Sequence, residues 1–126
     1  MNENELSHEI IGAAIEVHKE LGGPGLLEKI YEEALCAELA LRDIPHVRQI
    51  KVPVFYKGQE LKKRLRLDLV VGQLVIVECK AVEQFNSIHL AQCLTQLRVT
   101  SKKLGLVINF GERYVKDGVH RVANGI

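Results

Sequence analysis

Apolar side chains at helical spacing mark the first third of the chain. They recur every three or four positions through residues 2–21, which predicts a helix there with Asn4 as its N-cap. The segment 22–24, Gly-Gly-Pro, ends that helix, and a second helix is predicted over residues 25–42. The stripes expected to be buried are Leu6, Ile10, Ala13, Ala14, Val17 and Leu21 in the first helix and Leu27, Ile30, Ala34, Leu35 and Leu39 in the second.

The middle of the chain changes to a strand pattern. Residues 47–56 alternate in part and contain Pro53, which is typical of an edge strand or a bulge. Residues 61–70 form the next predicted strand, and residues 74–80 are so apolar that we expect a central strand covered on both faces. In the 61–70 strand, alternation predicts Leu65, Leu67 and Leu69 on one face and Arg64, Arg66 and Asp68 on the other.

The last third predicts one helix and more strand. Asn86 and Ser87 are expected to cap a helix that ends near Thr100, and residues 103–110 form a buried strand. A strand, helix and strand in succession favour a parallel crossover connection, and a last hairpin is predicted over residues 113–122. The order αα-βββ-α-β predicts an α/β fold, with a mixed β-sheet flanked by helices, in one domain of residues 1–126.

Composition narrows the class of protein. A hydrophobic fraction of 47% with 26% charged residues is ordinary for a globular domain, and no apolar run approaches the ~20 residues of a membrane span. The polar N-terminus lacks a signal pattern, and three cysteines without CxxC spacing favour reduced thiols, so we expect a cytoplasmic protein. The net charge of +1 decides nothing about a polyanionic partner. Local basic clusters, either solvated faces or a phosphate-binding rim, are Lys57, Lys62, Lys63, Arg64 and Arg66, and then Arg98, Lys102 and Lys103.

Three charges interrupt the apolar run from 67 to 82. Asp68, Glu78 and Lys80 lie where burial of an unpaired charge costs several kcal/mol. Side chains alternate along a strand, so Asp68 can oppose Glu78 only if the turn is centred on Gln73. That geometry predicts an odd-numbered loop or a bulge near Gly72, not a plain two-residue hairpin.

This grouping has a chemical and a structural interpretation. Two adjacent carboxylates raise each other's pKa unless a cation lies between them, and Mg²⁺ or Mn²⁺ with oxygen ligands would relieve the repulsion. Lys80 could then hold a water or a developing negative charge, as attack of water on a phosphodiester requires. The alternative is a buried ion-pair network with no chemistry.

Asp68 followed by Glu78-Cys79-Lys80 resembles the PD-(D/E)xK nuclease superfamily, which has a restriction-endonuclease-like core. Residues 25–31, GLLEKIY, are similar to the GxxExxY motif that names a small prokaryotic family within it. The segments IIGAAIEVHKELG, VECKAVE and GLVINFG also resemble that family, so the likeness covers essentially the whole chain. It implies a metal-dependent nuclease with Mg²⁺, or alternatively Mn²⁺, as cofactor and nucleic acid, DNA rather than RNA, as partner.

The resemblance also implies metal ligands. Asp68 and Glu78 would bind the ion together with the backbone carbonyl of Cys79. Glu28, from the second helix, would reach the metal directly or through water and counts among the catalytic residues.

Two further catalytic roles follow from the resemblance. Lys80 would orient the attacking water or stabilise the transition state, and Gln92 would line the site from the third helix. The chain departs from related families at Gln96, where a tyrosine is common, and at Leu90, where an acidic residue is usual.

Other residues allow two interpretations. His18 and His89 are candidate site residues, but a lone helix-end histidine is more often structural. Tyr31 could hydrogen-bond the Glu28 carboxylate or simply pack against the sheet. At the level of function, the alternatives to a nuclease are a module that binds nucleic acid or protein without cutting and an oligomer with a structural acidic cluster. A homodimer could cover the predicted edge strand at 47–56.

Overall fold

A computed structural model of the protein describes residues 1–125. In chain order its elements are α1 (Glu3–Glu20), α2 (Glu28–Leu41), β1 (His46–Val52), β2 (Phe55–Tyr56), β3 (Gln59–Glu60), β4 (Leu65–Val71), β5 (Val75–Lys80), α3 (Ile88–Thr100), β6 (Leu104–Asn109), a 3-10 turn (Val115–Gly118) and β7 (Val119–Ala123). None of the helices in this range has the length and hydropathy needed to cross a bilayer.

The N-terminus of α1 begins two residues earlier than the predicted cap. Asn2 is the N-cap: its Oδ1 accepts a hydrogen bond from the Glu5 N–H at 2.8 Å, and its own N–H donates to the Glu5 carboxylate at 2.9 Å. The prediction of Asn4 was therefore wrong. A reciprocal box of this kind satisfies two free backbone donors, which a lone Asn4 cap would not do. Asn4 instead accepts a hydrogen bond from Arg121 of β7 at 2.8 Å.

The main sheet has five strands in the order β1-β4-β5-β6-β7. β1, β4 and β5 are antiparallel neighbours, and β5 and β6 are parallel, which confirms the mixed sheet and the crossover through α3. β1 lies at one edge, as predicted from Pro53. β2 and β3 form a separate two-stranded ribbon between β1 and β4.

The predicted final hairpin over residues 113–122 was wrong. Residues Val115–Gly118 form a 3-10 turn, and the chain then returns as β7 antiparallel to β6. The Asp117-Gly118 pair was taken as the tip of a local hairpin, but the partner of β7 is the preceding buried strand. β6 and β7 are thus consecutive antiparallel strands joined by residues 110–118, a wider connection than the local hairpin that was predicted.

The loop between β4 and β5 has an odd number of residues, as predicted from the requirement that Asp68 lie opposite Glu78. Val71 pairs with Val75, so the three residues 72–74 form the loop. Gly72 and Gln73 have φ values of 58° and 63°, and the Leu74 N–H donates to the Val71 carbonyl at 3.1 Å. Both central residues are thus left-handed, as in the turns that match the twist of a hairpin.

Two apolar layers cover the sheet. The larger lies between the sheet and α1 and α2, and the smaller lies under α3. Leu67 belongs to the smaller cluster and Leu69 to the larger, so β4 changes face between them. The prediction that Leu65, Leu67 and Leu69 share a face was wrong for Leu69. On β1, Gln49 has a φ of 52° at the level of this change, between the pairs Arg48–Leu69 and Ile50–Leu67.

α3 lies very close to β6. A Cβ at Gly105 would be 2.5 Å from Sγ of Cys93, whereas real Cβ contacts are longer than 3.0 Å. Both residues are completely buried. The absence of a side chain at position 105 therefore permits the close packing of α3 on the sheet.

Candidate active site

The two candidate acids lie on neighbouring strands of the hairpin. The β4–β5 ladder reaches the pair Leu69–Val77, and one more step in the same register places Asp68 opposite Glu78. Beyond that pair, Oδ2 of Asp68 accepts a hydrogen bond from the Cys79 N–H at 3.3 Å. A carboxylate oxygen therefore takes a backbone donor where a regular ladder would supply a carbonyl.

Both carboxylates are largely withdrawn from solvent. Asp68 is 9% exposed and Glu78 is 8% exposed. Burial, and next the nearby charge of Asp68, raise the pKa of Glu78 to about 8, although Lys80 and a hydrogen bond from Gln96 act in the opposite direction. Oε1 of Glu78 is buried without a hydrogen-bond partner among residues 1–125. Two like charges and an unpartnered oxygen make this the least satisfied polar group of the strand pair.

Glu28 arrives at this site from the first turn of α2. Burial raises its pKa, the positive charge of Lys80 lowers it, and the negative charge of Asp68 raises it again. The carboxylate of Glu28 is therefore within electrostatic range of both residues. Lys80 is half-buried at the end of β5. Four of the predicted site residues, Glu28, Asp68, Glu78 and Lys80, thus converge on one end of the hairpin.

Tyr31 fixes the loop that leads into α2. Its hydroxyl donates to the Gly23 carbonyl at 2.7 Å and accepts from the Leu26 N–H at 3.1 Å. Its ring is fully buried and stacks on Phe110 with 4.8 Å between centroids. Of the two interpretations of Tyr31, the hydrogen bond to Glu28 is not formed. Tyr31 instead holds the glycine-rich turn that precedes α2, and Glu28 is the first residue of that helix.

The two candidate histidines differ in their surroundings. Nε2 of His18 is 3.1 Å from the carbonyl oxygen of Phe110, and the side chain is buried. The His89 ring packs edge-on against Phe85, with 5.4 Å between centroids. The hydrogen bond of His18 favours its structural interpretation, whereas Nδ1 of His89 is buried without a partner among residues 1–125, so both interpretations of His89 stay open.

The glutamines of α3 differ in exposure. Gln92 is exposed on a cavity of about 390 Å³ that Gln96 also lines, and no contact joins Gln92 to the acids, so its role stays a prediction. Gln96 is 8% exposed, and it lies close enough to Glu78 to lower the pKa of that carboxyl. From the sequence, Gln96 was expected on one strip of the third helix with His89 and Gln92, but it was given no role in the site. Its spacing of four from Gln92 places it on the same helix face, which was the signal available.

A third buried carboxylate, Glu32, was not predicted from the sequence. It is fully buried on α2, one turn after Glu28, and its Oε2 accepts from Arg48 Nη2 at 2.8 Å and from Gln49 Nε2 at 2.9 Å. Burial alone would raise the pKa of Glu32, but the hydrogen bonds from Arg48 and Gln49 lower it on balance. Glu32 therefore ties α2 to β1 at the level where β4 presents Asp68.

The donor set suits a hard divalent cation. Within residues 1–125 no preformed group of three or more histidine, cysteine or acidic side chains surrounds a metal position. Mg²⁺ usually takes one or two protein carboxylates and completes its shell with water and substrate phosphate. Asp68 and Glu78, with the unpartnered oxygen of Glu78, fit that requirement, and a cation would relieve their mutual repulsion.

Comparison with known protein families gives one match. A family model described as the PD-(D/E)XK nuclease superfamily matches residues 4–122. No curated protein and no solved structure matches the chain. The five-stranded mixed sheet flanked by helices agrees with the restriction-endonuclease-like fold expected from the sequence.

Proposed function

We propose that this chain, which belongs to the PD-(D/E)XK nuclease superfamily, is a Mg²⁺-dependent nuclease of the GxxExxY type that hydrolyses phosphodiester bonds in nucleic acid. The observation that carries the proposal is the buried pair Asp68 and Glu78, whose repulsion and unpartnered oxygen call for a cation beside Lys80. We take DNA rather than RNA as the substrate, Mn²⁺ as an alternative ion and the cytoplasm as the compartment. The whole chain, 1–126, would act as one nuclease domain.

Each residue has a role that follows from its position. Asp68, Glu78 and the Cys79 carbonyl would hold the ion, which when bound polarises a phosphoryl oxygen and acidifies water. The hydrogen bond from the Cys79 N–H orients the Asp68 carboxylate before substrate arrives. Lys80 Nζ would donate to the attacking water or to the charge that develops on the phosphoryl oxygens. Glu28 would accept a hydrogen bond from that water.

Gln92 and Gln96 would line the same site from α3. Gln96 lies near Glu78 and lowers its pKa, and Gln92 lies one turn away at the exposed cavity where substrate would enter. Gln92 would therefore contact nucleic acid, whereas Gln96 positions a ligand.

Cleavage of labelled single-stranded and double-stranded DNA and RNA, with Mg²⁺, Mn²⁺ or EDTA, tests the proposal. We expect cleavage only with metal, and at least a ~100-fold loss in Lys80→Ala because a transition-state donor is removed. Lys19→Ala is the matched control: it alters an exposed lysine in the last turn of α1, outside both basic clusters, whereas Lys80 lies at the end of β5 and pairs with Asn109 of β6. Absence of cleavage on every substrate, or full activity in Lys80→Ala, rejects the proposal.

A second candidate is a module that binds nucleic acid or protein without cutting. It is favoured by the lack of a preformed three-acid cluster among the described residues. Bound Mn²⁺ with no turnover, together with affinity that falls steeply with salt, would support this candidate over the nuclease. A homodimer formed through the edge strand β1 is compatible with either function, and sedimentation equilibrium would detect it.

A further inference from the structure

A basic cavity opens at the base of the β2–β3 ribbon. It has a volume of about 680 Å³ and is lined by Lys51, Lys62, Lys63, Arg64 and Arg66. Lys51 belongs to β1, before the ribbon, and the other four residues follow it, so the ribbon rises from the rim of the cavity. From Lys51 to Arg66 the chain has six basic side chains and a single acid, Glu60, although the whole chain has a net charge of only +1.

The ribbon carries two exposed aromatic rings. Phe55 is 60% exposed and pairs with Glu60, and Tyr56 is 62% exposed and pairs with Gln59. Lys57 Nζ lies 5.5 Å from the centroid of the Tyr56 ring. Successive residues of a strand point to opposite faces, so the ribbon presents one ring on each side. Large apolar rings exposed in this way have no role in the core, and in the sequence they lie between Lys51 and the four basic residues that complete the cavity.

The cavity is close to the candidate active site along β4. Arg66 precedes Asp68 by two residues, which corresponds to a separation of about 7 Å along a strand. Arg66 pairs with Lys51, and both alternate with apolar residues that pack on the α3 side of the sheet. These two cations therefore project to the face from which α2 supplies Glu28.

We propose that the ribbon and its basic cavity bind an unpaired nucleic-acid strand, with bases stacked on Phe55 and Tyr56 and phosphates held by the five cations. The inference rests on the proposed nuclease function and names the form of its substrate. Cations alone would serve a duplex equally well, because phosphates are exposed in both forms. Aromatic faces add affinity only where bases are unstacked and free to lie on them.

Fluorescence anisotropy in EDTA tests the inference with labelled 20-nucleotide single-stranded DNA and the corresponding duplex. We expect the single strand to bind at least ~10-fold more tightly. Phe55→Ala and Tyr56→Ala should each weaken single-strand binding by about 10-fold, since a stacked base contributes ~1–3 kcal/mol. Neither change should alter duplex binding more than about 2-fold. The ring-retaining variants Phe55→Tyr and Tyr56→Phe are the controls and should bind like the wild type.

The basic residues of the cavity are tested by the salt dependence of binding. Replacing Lys63 and Arg64 by alanine should weaken both forms of DNA and reduce the slope of log K against log salt by roughly 0.7 per lost phosphate contact on the single strand. Lys19→Ala, on α1 and outside the cavity and both basic clusters, should leave the slope unchanged. Equal affinity for duplex and single strand, or full single-strand affinity in both alanine variants of the ribbon, overturns the inference.

Two parallel measurements separate the causes of failure. Lys80-dependent cleavage without any preference for single strands would leave the nuclease proposal standing and reject this inference alone. Preference for single strands without cleavage would support the inference and reject the nuclease proposal. Sedimentation of the wild type and of Phe55→Ala tests whether a second copy of the chain binds the ribbon instead. If the wild type is a dimer and Phe55→Ala is a monomer, the ribbon is a dimer contact and the inference is rejected.

Discussion

The backbone N–H of Cys79 donates to Oδ2 of Asp68 across the β4–β5 pair at 3.3 Å. The hydrogen bond places one carboxylate of the candidate site in the sheet itself. Asp68 is consequently oriented without any ion, whereas Oε1 of Glu78 remains buried and unpartnered among the described residues. The two acids therefore differ in their hydrogen bonding. Asp68 is held by the backbone of β5, whereas Oε1 of Glu78 is available to a ligand.

Metal-free protein should lose stability as the pH rises from about 4.5 to about 8. The pKa of Glu78 is about 8 in the folded chain against an ordinary value of 4.5, so between these pH values the folded state binds more protons than the unfolded state. Denaturant unfolding in EDTA at pH 5, 6, 7 and 8 measures the slope. Glu78→Gln should flatten it, and the exposed variant Glu83→Gln should retain it. A slope that is identical in wild type and Glu78→Gln contradicts the prediction.

Mn²⁺ should stabilise the wild type by about 2.7 kcal/mol at one hundred times its Kd, because the ion binds the folded site and not the unfolded chain. Asp68→Asn and Glu78→Gln should abolish the shift in Tm without lowering the Tm in EDTA by more than a few degrees. Removing one of two repelling carboxylates offsets the loss of its contacts. Thermal melts with and without metal measure both quantities, and an undiminished shift in Glu78→Gln would exclude that residue as a ligand.

Tyr31→Phe should destabilise the chain by roughly 1–2 kcal/mol. The change removes the hydroxyl that donates to Gly23 and accepts from Leu26, while keeping the ring that stacks on Phe110. It should also weaken Mn²⁺ binding if Glu28 contributes to the site, because the loop before α2 is loosened. Tyr56→Phe is the matched control, since that exposed tyrosine has no recorded hydrogen bond. Equal stability of the two variants would show that the loop holds its shape without the hydroxyl.

Asn109→Ala should cost roughly 2–4 kcal/mol. The fully buried side chain accepts from the Val82 and Gly111 N–H groups and donates to the Val82 carbonyl, each at 3.0 Å. These bonds hold the segment that follows Lys80, so metal-dependent cleavage should fall as well. Asn124→Ala, which removes one bond to the Lys102 carbonyl, should cost only about 1 kcal/mol. Urea unfolding compares the two, and equal losses would argue against the role of Asn109.

Local patterns predicted most of the helices and strands, but the helical periodicity was wrong for Leu21, Leu27 and Ile30, which were expected to be buried and are exposed at the ends of α1 and α2. The odd-numbered loop at 72–74 followed from the requirement that Asp68 oppose Glu78, and the structure has it. The change of face between Leu67 and Leu69 was not predictable in this way. It coincides with the left-handed φ of Gln49 on another strand, and Gln49 is held by Glu32 from a helix. Strand alternation describes only successive residues of one strand, so it cannot predict an irregularity that accompanies a hydrogen bond between β1 and α2.

The charged residues of the candidate site were predicted from the sequence, but the residues that position them were not. Glu28, Asp68, Glu78 and Lys80 carry charge in unusual places, which makes them visible in a sequence. Gln96 and the loop-holding role of Tyr31 depend on which way a side chain points once helices are packed. Neither helical spacing nor residue type carries that information.

Gly105 has a consequence for chemistry that takes place elsewhere in the molecule. Because this position has no side chain, α3 can rest on β6 with Cys93 in the gap, and the same helix brings the Gln96 amide to Glu78. A single methyl group at 105 would act as a spacer under the helix and lift the amide from the carboxylate. The surroundings of Glu78 thus depend on how closely α3 packs on Gly105, a residue that has no functional group of its own.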